Sequence, residues 1–86
     1  MKHKAHPDFW QCYNQLNASI QRLADKNFEL LKVNPRHPSL QLKKVGLDLY
    51  SARVGLEHRA LAFDLGEEWV WFWIGPHDAY EQLIRR

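Results

Sequence analysis

The sequence predicts an α+β fold: an N-terminal helical hairpin packed on a three- to four-stranded antiparallel sheet, closed by a short C-terminal helix. Three observations predict it. Apolar residues recur at three- and four-residue steps up to Asn34-Pro35, the apolar period changes to two from Pro38, and helical spacing returns after Gly75-Pro76.

Pro7 followed by Asp8 starts the first helix, because proline suits the first turn and an acid there complements the helix dipole. Phe9, Trp10, Tyr13 and Leu16 continue it at helical spacing. Asn17 can cap a second helix carrying Ile20, Leu23, Ala24, Phe28 and Leu31 on one face, and Asn34-Pro35 ends that helix. So short a connection favours an antiparallel pair that buries one stripe from each helix. Beyond Pro38, Leu40 and Leu42 alternate with polar neighbours, as do Tyr50, Ala52, Val54 and Leu56, and then Leu61, Phe63 and Leu65. Gly46 to Asp48, Glu57-His58 and Gly66-Glu67 supply short connections, so neighbouring strands should pair as hairpins. Trp69 to Ile74 is apolar on both faces, which suits a central or doubly covered strand. From His77 onward Tyr80, Leu83 and Ile84 share one helical face.

Eighty-six residues make one small domain whose elements must share a core. A hydrophobic fraction of 45%, with four Trp and four Phe, argues against intrinsic disorder. No stretch approaches the roughly 20 apolar residues of a membrane span, and the N-terminus lacks the apolar core of a signal peptide, so a cytoplasmic protein is expected. Cys12 is the single cysteine and reads as a small buried apolar residue. The formal charge of +2 hides polarity. Residues 22–59 hold eight Lys/Arg against four Asp/Glu, whereas residues 60–86 hold two against five. A basic centre with an acidic end suits an anionic ligand.

Within the basic centre, Arg53 has the parity opposite to Tyr50, Ala52 and Val54 and should point away from the face they bury. Arg59 shares the parity of Leu61 and Phe63 but opens its strand, where a long side chain can reach outward. Each could be a simple surface or snorkelling arginine; together on adjacent strands they could clamp a phosphate. Lys43 and Lys44 are consecutive, so at most one joins that patch. Arg36 and His37 lie between two prolines, in a loop that either connects helix to sheet or contacts nucleic acid. His77 follows a strand end and a Gly-Pro turn, a position suited to a general acid or base and equally to a surface residue. Asp78 either orients that imidazole or caps the last helix. Tyr80 packs with Leu83 and Ile84, or lets its hydroxyl reach a cleft. Trp69, Trp71 and Trp73 should occupy one face by parity and are assigned to core or partner contact rather than base stacking. The histidines are scattered, so no metal site and no cofactor is expected, and there is neither a Gly-rich phosphate loop nor a nucleophile elbow.

The succession LKKV, then YSARVGLEHRALAF, then WIGPHDAY, placed after two helices, resembles the RelE/ParE superfamily of toxins from bacterial type II toxin-antitoxin modules. The resemblance covers most of the chain. It implies a toxin that cuts mRNA on the ribosome, as RelE-like members do, or one that poisons DNA gyrase without catalysis, as ParE-like members do; an inactive module that binds only an antitoxin is a third outcome. It also implies a cognate antitoxin partner that lays a helix or strand over the basic surface. In the ribonuclease reading the resemblance makes Arg53, Arg59, His77 and Tyr80 the catalytic group, with Lys43, Lys44 and Arg36 as RNA contacts. The lysine that some ribonucleases of the family carry two residues before the Arg53 position is Ser51 here, which shifts proton transfer to His77 or Tyr80. The family commonly opens with a strand, for which MKHKAHPD leaves little room.

Overall fold

The structure, a computed structural model, describes residues 2–85. Its elements are strand β1 (Lys2–Ala5), helices α1 (Pro7–Asn14) and α2 (Ala18–Val33), a 3-10 turn (Pro38–Leu40), strands β2 (Lys43–Gly46), β3 (Leu49–Val54), β4 (His58–Asp64) and β5 (Glu68–Pro76), and helix α3 (His77–Ile84). The five strands form one sheet in the order β1-β5-β4-β3-β2. β2 to β5 are antiparallel neighbours, as short hairpin connections dictate, and β1 pairs parallel to β5.

The α+β class, the leading helical pair and the closing helix are as expected, but the N-terminus is not short of a strand. Lys2 to Ala5 adds a fifth strand because the open edge of β5 offers unpaired backbone groups, and four residues suffice to reach the start of α1. Both helix starts are capped by side chains. His6 Nδ1 accepts from the amide of Asp8 at 3.1 Å and Asn17 Oδ1 from that of Ile20 at 3.0 Å.

Strand boundaries differ from the alternation pattern in three places. Leu40 and Leu42 precede the first hairpin strand: Pro38 starts a 3-10 turn, Leu40 is buried within it, and Gln41 reverses the chain at φ +41 before β2 begins at Lys43. Leu56 lies beyond the end of β3, in a turn made possible by Gly55 at φ +67, and is exposed. The third difference is a bulge in β5. Leu61 pairs with Trp73 but Ala62 pairs with Trp71, so Phe72 is the extra residue and the parity of the strand inverts there. The three tryptophans therefore do not share one face. Trp69, Trp71 and Ile74 enter the core under α1 and α2, whereas Trp73 turns to the opposite side, where its indole lies against Gly75.

The core is thus one-sided. Leu31, Ala24 and Leu40 pack against Ala52, Val54, Ala60, Ala62, Trp69, Trp71 and Ile74. The second face, carrying Ser51, Arg53, Arg59, Leu61 and Phe63, is covered by α3, whose Tyr80 is buried over the middle of the sheet. α3 leaves part of that face open, where Lys43 is exposed and Arg53 half-buried, whereas Arg59 lies beneath Tyr80.

Candidate functional site

Register places Arg53 and Arg59 directly opposite one another on β3 and β4, and Lys43 opposite Ser51 on β2. Arg53, Arg59, Ser51 and Lys43 therefore project from the same face of the sheet. Lys44 pairs with Tyr50 and belongs to the other face, and Arg36 sits exposed in the turn after α2. Of the three expected RNA contacts, only Lys43 shares a face with the arginines.

Arg59 was expected at the rim and is instead buried, with 4% of its surface exposed. Three acceptor contacts hold it: Nε and Nη2 donate to Ser51 Oγ at 3.2 and 2.9 Å, and Nη2 also donates to the carbonyl of Gln41 at 3.0 Å. Its guanidinium lies 5.2 Å from the centre of the Tyr80 ring, within cation–π range. The cause of the burial is α3, which folds back over β4 and brings Tyr80 down on the strand. Burial lowers the pKa of Arg59 and the neighbouring Arg53 charge adds to this, while Tyr80 works in the opposite direction.

The two arginines are not held by a structural ion pair. Among the described residues no carboxylate pairs with Arg59 or with Arg53. Two like charges directly opposite on neighbouring strands are destabilising unless something negative relieves them. Arg59 Nη2 uses both of its hydrogens, one on Ser51 Oγ and one on the Gln41 carbonyl. Arg53 is half-buried, its Nε donating to the carbonyl of Gly55 at 2.8 Å.

Ser51 is the centre of the site, fully buried, with Tyr80 Oη donating to its Oγ at 3.2 Å. A serine oxygen has two lone pairs, so the guanidinium and the phenol together take up its accepting capacity. Tyr80 is 1% exposed and its hydroxyl ends inside this network rather than in an open cleft. His77, by contrast, is exposed at the first position of α3. Its amide donates to the carbonyl of Glu57 at 2.7 Å, and its ring lies 5.6 Å from that of Tyr80. His77 Nε2 is 2.9 Å from Glu81 Oε1, one helical turn on, which leaves Nδ1 as the ring nitrogen free for another partner. Asp78 neither caps α3, which has no side-chain cap, nor holds the imidazole; Glu81 does the latter.

Three participants escaped the sequence reading. Glu81 was legible as the acid four residues after His77 on a helix. Ser51 was legible by its parity with Arg53, though nothing local indicated that three donors converge on it. The Gln41 carbonyl was not legible, because its direction depends on a left-handed residue after the 3-10 turn. Among the described residues no three His, Cys, Asp or Glu side chains gather as a metal site, and no helix is long and apolar enough to cross a membrane.

No protein-family model matches the chain, and no curated protein does. Solved structures do. The RelE–RelB complex of Pyrococcus horikoshii superposes with a TM-score of 0.69 at 19% identity, covering 88% of this chain and 93% of that one. The YoeB/ParE toxin of Agrobacterium tumefaciens gives 0.68 at 16% identity over 90% and 99% of the two chains. The RelB–RelE antitoxin-toxin complex of Methanococcus jannaschii gives 0.70 at 15% identity over 93% and 96%. This chain shares the fold of these RelE and YoeB/ParE toxin structures.

Proposed function

We propose that this chain is the toxin of a type II toxin-antitoxin module and that its open basic face cleaves mRNA on the ribosome. The observation that carries this reading is Arg59, a buried guanidinium with no carboxylate partner among the described residues, held by Ser51 and Gln41 directly opposite Arg53. An anion bridging the two arginines would relieve their repulsion, and a phosphate carries more negative charge in the transition state than before it.

In this reading His77 Nδ1 takes the proton of a ribose 2′-hydroxyl. The 2′-oxygen then attacks the adjacent phosphorus, the bond to the 5′-oxygen breaks, and that oxygen takes a proton from solvent, leaving a 2′,3′-cyclic phosphate and a 5′-hydroxyl end. Arg59 and Arg53 stabilise the equatorial oxygens. Tyr80, sealed from substrate, positions Arg59 rather than moving protons, and Lys43 steers the backbone from the same face. The partner is an antitoxin, since two of the similar structures are toxins in complex with RelB.

His77→Ala and Arg59→Ala expressed beside the parent in translating cells, with transcript ends mapped, test the assignment. Both variants should lose the cuts; undiminished cleavage by both would sink it. Inhibited supercoiling with DNA-damage signalling and uncut RNA would instead establish the gyrase-directed alternative, for which no titrating group at the site is needed.

A further inference from the structure

His77 and Glu81 stand four residues apart on α3, a spacing that brings two side chains onto one face of a helix. His77 Nε2 lies 2.9 Å from Glu81 Oε1, within the range of a charge-assisted hydrogen bond. The two nitrogens of a neutral imidazole are not equivalent, since one carries the hydrogen and the other a lone pair. A lone pair on Nε2 would face a carboxylate oxygen at 2.9 Å, acceptor against acceptor, so the hydrogen belongs on Nε2 and the lone pair on Nδ1. The backbone of the histidine is held separately, its amide donating to the Glu57 carbonyl at 2.7 Å, and the Tyr80 ring lies 5.6 Å from the imidazole. With the backbone anchored at one end and Nε2 at the other, turning the ring over would break the contact with Glu81.

We infer that Glu81 is a positioning residue, fixing the tautomer and the orientation in which His77 presents Nδ1 as a base. The role rests on the ribonuclease reading. When Nδ1 takes the proton of a ribose 2′-hydroxyl, the ring becomes a cation while its Nε2–H still points at an anion, so the charge that forms meets an acceptor already in place. No proton passes to Glu81; its carboxylate orients the ring and stabilises the imidazolium. The other carboxylate oxygen faces a different cation. Arg85 Nη2 lies 3.7 Å from Glu81 Oε2, an ion-pair contact too long for a hydrogen bond, so it does not compete for Oε1. The side chains of His77 and Glu81 are 47% and 39% exposed, and ion pairs so open to solvent contribute little to stability. Removing the carboxylate therefore separates an effect on the ring from an effect on the fold.

The test compares the full parent chain with Glu81→Ala and Glu81→Gln. Nitrogen-15 NMR of the neutral His77 ring should place the hydrogen on Nε2 alone in the parent and show a mixture of both tautomers in Glu81→Ala. In Glu81→Gln, whose amide oxygen still accepts a hydrogen bond, it should return to Nε2. Mapped RNA cuts in translating cells should fall on the order of 10-fold in Glu81→Ala, as when other partners that fix a histidine ring are removed, and recover most of the way in Glu81→Gln. Tm should barely change in either variant. An unchanged tautomer in Glu81→Ala, or undiminished cleavage by it, would overturn the role of Glu81 while leaving the ribonuclease reading intact. Uncut RNA with the parent chain would overturn that reading and this role with it.

Discussion

Replacing Ser51 with alanine removes one oxygen and tests the whole arrangement around Arg59. That oxygen accepts from Arg59 Nε, Arg59 Nη2 and the Tyr80 hydroxyl, and it is fully buried. Without it, up to three donors lose their acceptor at once, two of them on a charged group. An orphaned buried donor costs about 1–3 kcal/mol, and Gln41 still holds the second hydrogen of Nη2, so the lower end of that range applies to each and the sum is roughly 2–4 kcal/mol. In a domain whose total stability is on the order of 5–15 kcal/mol this is a large fraction. Urea denaturation reads it directly: with a slope of about 1 kcal/mol/M for a chain of this size, the midpoint should fall by roughly 2 M or more. Tyr80→Phe alone removes only the hydroxyl, and the double variant should be less unstable than the sum of the single ones by about 1 kcal/mol, since both remove the same contact. A loss below about 0.5 kcal/mol for Ser51→Ala, or strict additivity with Tyr80→Phe, would refute the view that Ser51 organises the site.

Burial first, then the nearby amino terminus and Lys32, lower the pKa of His3 below its ordinary 6.5. The unfolded chain therefore binds the proton more readily, so this contribution to stability is complete above pH 6.5 and is lost as the pH falls from there through the lower folded-state pKa. His3→Gln, which can still accept from the Trp71 indole as His3 Nδ1 does at 3.1 Å, should flatten the acid side of the stability profile measured by urea midpoints at successive pH values. An unchanged slope would contradict the assignment. Gly75→Ala would place a Cβ 2.7 Å from Trp73 Cζ2, so a loss of about 1–3 kcal/mol is expected with a change in tryptophan emission. Wild-type stability would mean that the indole does not rest on this glycine. For single-stranded RNA bound to a His77→Ala background, Lys43→Ala should reduce the salt slope of log affinity by roughly 0.7 per lost phosphate contact, whereas Lys44→Ala, on the other face, should not change it. Equal effects of the two lysines would show that RNA does not follow the arginine face.

Much of this was legible because the relevant rules are local. Asn17 caps α2 and Asn34-Pro35 ends it through the conformational habits of those residues alone. The strand parity of Arg53 placed it on the face away from Tyr50 and Ala52, and the register agrees. Where the parity argument failed, a single inserted residue was responsible: the bulge at Phe72 inverted the alternation and sent Trp73 to the face opposite Trp71. Nothing in the run from Trp69 to Ile74 reveals this, because apolar residues on both faces give the alternation no polar partner against which to register.

The amino-acid order by itself determined the three helices, the antiparallel hairpin strands, the α+β class, the pair of arginines on neighbouring strands and the histidine at the start of the last helix, since these depend on propensity, capping and period, but not β1, which forms only against the edge of β5. Tertiary structure decided what those residues became. Arg59 opens its strand and by local rules alone would be a rim cation. It is buried only because α3 folds back and lays Tyr80 over it, while Ser51 and the Gln41 carbonyl arrive from strand and turn to satisfy one edge of the guanidinium. Those partners are separated from Arg59 by 8 to 21 positions along the chain, and no local rule specifies a meeting over that distance.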